Sequence, residues 1–476
     1  MYEIDKKLED LQKQGKPVLV SLIGAGQMGK DIVAQVECMV GMEIPIVVDL
    51  DTKTAVEAYR IAGYKGEVIT TDDLLEAEKA IEEGKKVATT NYKIAIQARQ
   101  VQVVIDATGS PEMGARVSLD CINHKKHIVM MNVECDITVG PILRQMAESA
   151  GIVYSLTAGD EPGSIIEVYR FAKALGFKVV AAGKGKNNPL NLYANPDDLK
   201  EKAEARNMSA KMLCEFVDGS KTMIEMAAVS NATGLVPDVR GMHGPTCNIE
   251  DLTKVFCRKD QGGILEKEGV VDFGIGNINP GVFVIVTTDH PRLIEGLVQR
   301  DMGEGPNYLL FRPYHLCSIE TPITAAQAVL YGESTAHPMK KITSECITVA
   351  KKDLKAGEVL DGIGEYCYRA SIETAEVARE GNMLPIGLAK GAVLKCDVKS
   401  RVGAPFGDAI LAGVAVGIFK DFSIAKEKTE YIDLIEPNQK NHEIYMEYFK
   451  LYKKLYEDIK EDYKALAHLR NLSSQN

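Results

Sequence analysis

"SLIGAGQMGKD", residues 21–31, sets Gly24, Gly26 and Gly29 in the spacing G-x-G-x-x-G. Three glycines so spaced often occur by chance, so the flanks decide the reading. Before them, VLVSLI at 18–23 is a short, mainly apolar run of strand length. After them, KDIVAQVECMV carries a helical apolar period. A strand–turn–helix context is the condition under which this motif cradles a dinucleotide. Each position then has a physical task. Gly24 permits the tight turn, Gly26 lets the backbone approach a pyrophosphate, and Gly29 lets helix pack closely on strand. Gln27 and Met28 open the helix, whose unpaired N–H groups and positive dipole end meet the phosphates.

Farther out, IPIVVDLD predicts a second strand ending at Asp49, twenty residues beyond Gly29. An acid there bonds the ribose 2′-hydroxyl. Its charge favours NAD over NADP, and nearby Lys53 softens that preference. VQVVIDA (101–107) and KHIVMMNVECD (126–136) predict two more strands. Thr108 and Gly109 fall at the carboxyl end of the first, Asn132 and Glu134 at that of the next, the rim where open α/β sheets bind ligands. Residues 74–98 read as a helical insertion. The fold class is therefore α/β, opening with a doubly wound domain over 1–155.

Charge bounds the partners. The 476-residue chain has a net charge of −11, which argues against nucleic acid, although a local cluster of Lys and Arg can hold a small anionic substrate. With 45% apolar and 26% charged residues, the composition is that of a soluble globular protein with room for two or three domains. No apolar run reaches the roughly 18–20 residues that span a bilayer, so no membrane partner is expected. The charged start, MYEIDKKLEDLQKQGKP, lacks the apolar core of a secretion signal. Ten cysteines without a C-x-x-C pair point to reduced thiols in the cytoplasm rather than to disulfides or zinc.

Beyond residue 155 the candidates for chemistry appear. Asp160 and Glu161 of AGDEPG precede the helix IIEVYRFAKALG. Paired carboxylates on a strand-end loop suit proton transfer or a metal, and Asp160 would also serve as a helix N-cap. FKVVAAG reads as a strand, with Lys184 and Lys186 following it in a Gly-rich turn. Ammonium groups there meet an anion, and a desolvated lysine also works as acid or base. In FRPYHL, Arg312 can clamp a phosphate or carboxylate beside Tyr314, and His315 can move a proton near neutral pH. His243 in RGMHGPT is a second histidine of this kind.

Together, GAGQMG, IDATGSP, KHIVMMNVECD, YSLTAGDEPG, VVAAGKGK, IEMAAVSNATG and RPYHL make the first 330 residues resemble the homoserine-dehydrogenase-like oxidoreductases. Within that group they resemble the 1-deoxy-D-xylulose 5-phosphate reductoisomerase-like branch. ITVAKKDLKAGEVLDGIG and LPIGLAKGAVLKCDVK resemble the SAF module of antifreeze-like and sialic acid synthase proteins. The resemblance implies a Rossmann domain (1–155), an α+β catalytic and dimerisation domain (156–342), a small β-rich SAF-like domain (343–415) and a linker with a tail helix (416–476). It implies a homodimer or higher homo-oligomer. It also implies rearrangement of a five-carbon ketose phosphate, with reduction of the resulting aldehyde by NADPH. A divalent metal, Mg2+ or Mn2+, would polarise two substrate oxygens. Lys184, Asp160 and His315 would be catalytic. Lys186, Arg312, Tyr314, Glu161, Asn132 and Glu134 would hold the substrate.

The sequence departs from true homoserine dehydrogenases at M-N-V, where Val133 replaces the lysine of their A-N-K step. Their later acidic helix with a second lysine is not recognisable. Homoserine-type oxidation of a small amino or hydroxy acid is therefore the alternative, and a non-catalytic cofactor-binding scaffold the second. The tail NHEIYMEYFKLYKKLYEDIKEDYKALAHLR sets Tyr445, Tyr448, Tyr452, Leu455, Ile459, Tyr463 and Leu466 on one helical stripe. It resembles the C-terminal helix of FGGY-type sugar kinases and reads as a docking element.

Overall fold

In the computed structural model, which describes residues 3–206 and 208–400, VLVSLI forms the middle strand of a seven-stranded sheet. The strands are β1 (Val18–Ile23), β2 (Met42–Val48), β3 (Val68–Thr70), β4 (Lys86–Thr89), β5 (Val103–Asp106), β6 (His127–Met130) and β7 (Tyr154–Leu156). They run parallel in the order β3-β4-β2-β1-β5-β6-β7. Such strands are covered on both faces, which explains why they read as near-continuous apolar runs. β2 and β5 flank β1 on opposite sides, so the winding reverses at the carboxyl end of β1, beside the glycines. Residues 74–98 are not a wholly helical insertion. Helices Leu74–Glu82 and Tyr92–Gln97 enclose β4, which pairs with β2 and β3 inside the sheet. KVAT, bounded by Lys86 and Thr89, lacks the continuous apolar run that marks the equally short β5 and β6.

The second sheet is mixed and five-stranded, in the order β12-β11-β8-β10-β9. Its members are β8 (Lys178–Lys186), β9 (Val236–Pro237), β10 (Val270–Ile275), β11 (Val282–Thr287) and β12 (Asn307–Arg312). Lys184 and Lys186 therefore do not follow a strand in a turn; they are its last residues. Side chains alternate across a strand, so both lysines share one face and Gly183 and Gly185 take the other. That second face has no room for a Cβ: one on Gly183 would lie 2.1 Å from the Asp272 carbonyl oxygen, one on Gly185 2.2 Å from the Asn279 nitrogen.

Of the stretch expected to be SAF-like, β13 (Ser344–Ala350) and β14 (Tyr368–Thr374) form an antiparallel pair. Ser344 Oγ meets Ser230 Oγ of helix Ser220–Thr233 at 2.6 Å. Residues 401–415 of that stretch and the tail helix lie outside the described residues. The chain divides into two units, one of residues 1–354 and 358–393, the other of 355–357 and 394–476. In the second, Lys355 Nζ pairs with Asp397 at 2.6 Å. Among the described residues no helix is long and apolar enough to cross a membrane, and all ten cysteines are free thiols.

Candidate active site

The glycine motif has the geometry its spacing predicts. Gly24 adopts φ +101°, and a Cβ there would sit 2.7 Å from the Ala107 carbonyl oxygen. A Cβ on Gly29 would be 2.1 Å from the Gly24 oxygen, which is the close packing of helix on strand. Gly26 has open space where its Cβ would be, and it caps helix Gln27–Glu37 without a side-chain hydrogen bond. No acidic residue stands in that helix's first turn, so its N–H groups remain available to an anion. Gln27 is exposed there and Met28 half-buried. Asp49 stands directly after β2, where Oδ2 accepts from the Ala25 N–H at 2.8 Å. These features fit a dinucleotide.

On the other side of β1, Thr108 and Asn132 are drawn together by Asp106. Asp106 accepts from the Thr108 N–H at 3.0 Å and from Asn132 Nδ2 at 3.2 Å. Asn132 also donates to the Ser110 carbonyl at 2.7 Å and caps helix Val133–Ala150. It is buried and does not line the cavity below, so the expectation of a substrate contact gives way to a structural staple. Glu134, in the first turn of that helix, does line the cavity, as does Gly109.

This cavity, of about 610 Å³, runs from Met28, Ala107 and Gly109 to the lysine face of β8. At its floor Lys184 Nζ donates to Glu161 at 2.5 Å and to Glu225. Glu161 and its neighbour Asp160 begin helix Glu161–Ala174, and Asp160 makes no capping hydrogen bond. Glu225 comes from helix Ser220–Thr233, as does Lys221, which pairs with Glu134 at 3.4 Å. His315 approaches Glu161 with Nε2 at 3.6 Å and meets Cys317 Sγ through Nδ1 at 3.3 Å. Asp160, Glu161, Lys184, Lys186, Glu134 and His315 are thus brought to one cavity.

Burial acts differently on each group. It raises Asp160 well above the carboxylate range, and the neighbouring Glu161 charge adds to it. Burial would raise Glu161 too, but the Lys184 ammonium and His315 outweigh it and hold Glu161 below the usual range. Glu225 is pushed up to about 7 by burial and by Glu161, against the pull of Lys184. Burial works against the Lys184 charge, but Glu161 and Glu225 overcome it, so its affinity for the proton is raised. Among the described residues Lys186 has no carboxylate at bonding distance. It donates to the Asn188 and Phe216 carbonyls at 2.8 and 2.7 Å. Burial, then the Lys184 charge, lowers it to about 8.

Arg312 and Tyr314 are not brought to the cavity. Arg312 is held by Ser164 (2.8 Å), Glu167 (3.1 Å) and Glu320 (2.7 Å) and lies 4.8 Å over the Tyr314 ring. Arg312 is thus engaged within the protein, whereas the cations Lys186, Arg206, Lys211 and Lys390 line the cavity. The last three, with Lys221, Glu225 and Glu215, were missed in the sequence. The available signal was spacing: Lys211 with Glu215, and Lys221 with Glu225, stand four apart on helices and so share a face. One oxygen each of Asp160, Glu161 and Glu225 lies within 4.8 Å of the others. An all-oxygen set suits Mg2+ or Mn2+, with Lys184 as the competitor for two of the three.

Residues 24–155 match the family model described as the homoserine dehydrogenase NAD-binding domain, and residues 159–321 the model described as the catalytic domain of oxidoreductase DRL. No curated protein matches the chain. Among solved structures, a probable dehydrogenase from Thermotoga maritima is 11% identical, with 67% of this chain and 90% of that chain covered and a TM-score of 0.38. Scyllo-inositol dehydrogenase from Lactobacillus casei, solved with NAD(H) and scyllo-inositol, is 12% identical over 62% and 76%, with a TM-score of 0.35. Myo-inositol 2-dehydrogenase from Lactobacillus plantarum is 14% identical over 67% and 91%, with a TM-score of 0.36.

Proposed function

We propose that this chain, an NAD(P)-dependent oxidoreductase, acts on a small phosphorylated ketose or related polyol, as a reductase or reductoisomerase. The observation carrying this reading is the single cavity that leads from the glycine motif, past a buried acid–base cluster, to a set of cations. The nicotinamide cofactor, when bound, supplies or accepts the hydride. Gly26 and the N-terminus of helix Gln27–Glu37 would hold its pyrophosphate, and Asp49 its ribose.

The chain's own residues account for the rest. An ammonium has three donors. Lys184 spends two on Glu161 and Glu225, which leaves one for a substrate oxygen, where it stabilises developing negative charge. Asp160, kept protonated, is the proton donor; Glu161, kept ionised beside Lys184 and His315, fixes the Lys184 charge; and Glu225, raised to about 7, is the acceptor. Groups of one cluster held in opposite protonation states suit acid and base roles. Lys186, Lys211, Lys390 and Arg206 take the phosphate. With a divalent cation in place of the Lys184 contacts and of the Asp160 proton, Asp160, Glu161 and Glu225 would hold it as three carboxylates, and it would supply Lewis-acid polarisation of two substrate oxygens.

The test is NADPH consumption with 1-deoxy-D-xylulose 5-phosphate, other ketose phosphates and their unphosphorylated forms, set against NAD(P)+ reduction with homoserine. Turnover confined to phosphorylated ketoses is expected; turnover of homoserine alone would overturn the reading. That second outcome has its own support: Lys221 and Glu225 put an acid and a second lysine on one helix in the site.

A further inference from the structure

Most carboxyl groups on the cavity wall are engaged. Lys184 holds Glu161 and Glu225, Lys221 holds Glu134, and Asp160 interacts with Glu161. Glu215 differs. It lies on helix Ala210–Val217, one turn after Lys211, where an i,i+4 ion pair would ordinarily form. Lys211 is drawn away instead, to Glu365 at 2.8 Å. Among the described residues Glu215 has neither an ion pair nor a hydrogen bond, yet it faces the cavity. The turn at Gly364 fixes its stem: a Cβ there would lie 2.3 Å from Glu215 Cγ. Glu215 is half-buried, and an unpaired carboxylate drawn partly out of water is costly to keep charged. Burial first, then the charges of Glu134 and Asp218, push Glu215 up to about 8 against the opposing pull of Lys221 and Lys211. Tyr368 of β14 also lines this part of the wall.

We infer that Glu215 is a substrate-touching residue whose carboxyl O–H donates a hydrogen bond to a hydroxyl or carbonyl oxygen of a polyhydroxylated substrate. The inference rests on the oxidoreductase reading and adds a specificity-determining donor to it. A carboxyl acting in this way resembles a neutral amide in function. Glu215→Gln keeps a donor and should bind substrate nearly as the natural chain does. Glu215→Ala removes the donor and leaves the substrate oxygen unpaired, raising KM by about tenfold or more with little change in kcat. Equal KM values for Glu215→Ala and the natural chain would overturn the inference.

A second readout needs no turnover. The infrared difference spectrum between the natural chain and Glu215→Gln at neutral pH should contain a protonated-carboxyl C=O band that titrates away with a midpoint near pH 8. Absence of that band would overturn the inference while leaving the proposed function standing. Its presence in a chain that turns over only homoserine would defeat the ketose-phosphate reading and leave Glu215 as a donor to another substrate.

Discussion

Lys186 shows how much one residue's position alters its chemistry. As a solvated loop lysine it would be a plain cation; as the last residue of β8 it is buried among backbone carbonyls, beside another ammonium. Its charge is present below about pH 8 and is lost as pH rises through that value. Affinity for a phosphorylated substrate should therefore fall above pH 8. Lys186→Met should give weak affinity with a shallower limb, read as KM against pH, and combining it with Glu215→Gln should remove the limb, because Glu215 loses its proton over the same range. A natural chain whose KM is flat to pH 10 would exclude Lys186 from anion binding. At this scale the sequence was legible for Asp160, Glu161 and Lys184, which sit in short loops or strand ends with unusual polar runs. It was not legible for Lys221, Glu225 and Glu215. Their helices are separated in sequence from the motif, and only the tertiary fold aims them at it.

Among the elements, β8 couples backbone packing to the site. The alternation G-K-G-K over 183–186 is a strand period, with glycines on the crowded face and lysines on the cavity face. Gly185→Ala would drive a methyl into the Asn279 backbone, which cannot yield as a flexible side chain does. Overpacking of this kind costs about 1–3 kcal/mol, and chemical denaturation should show the loss. Unchanged stability would mean that the strand bends away more easily than its register implies. The sequence suggests a turn after Gly183, over 184–186, because closely spaced glycines signal turns; close backbone approach is the other reason for glycine in a strand. The parallel sheet was readable wherever its strands fall in near-continuous apolar runs, as in β1, β2 and β5. The strand β4, as short as β5, escaped because KVAT opens on a lysine and closes on a threonine and has no such run to separate it from its flanking helices.

In the molecule as a whole, the site depends on parts distant in sequence. Lys351, after β13, reaches Asp218 at 3.0 Å and the Ala194 carbonyl at 2.7 Å, with both charged side chains buried. Asp218 closes helix Ala210–Val217, whose Phe216 carbonyl receives Lys186. Removing one partner of a buried ion pair costs about 3–5 kcal/mol. Lys351→Ala should accordingly lower the unfolding free energy by that order, measured by denaturant titration; a loss within experimental scatter would show the pair to be dispensable.

In the proposed reaction the Glu161–Lys184–Glu225 cluster acts on a substrate carbonyl beside the nicotinamide. The most direct measurement is transfer of deuterium from 4-deuterated NADPH to the polyol phosphate formed from a ketose phosphate, followed by mass spectrometry, with NADPH binding measured in parallel. A deuterated product is expected from the natural chain and none from Lys184→Met, which should still bind NADPH through the glycine motif. Undiminished transfer by Lys184→Met would contradict this role.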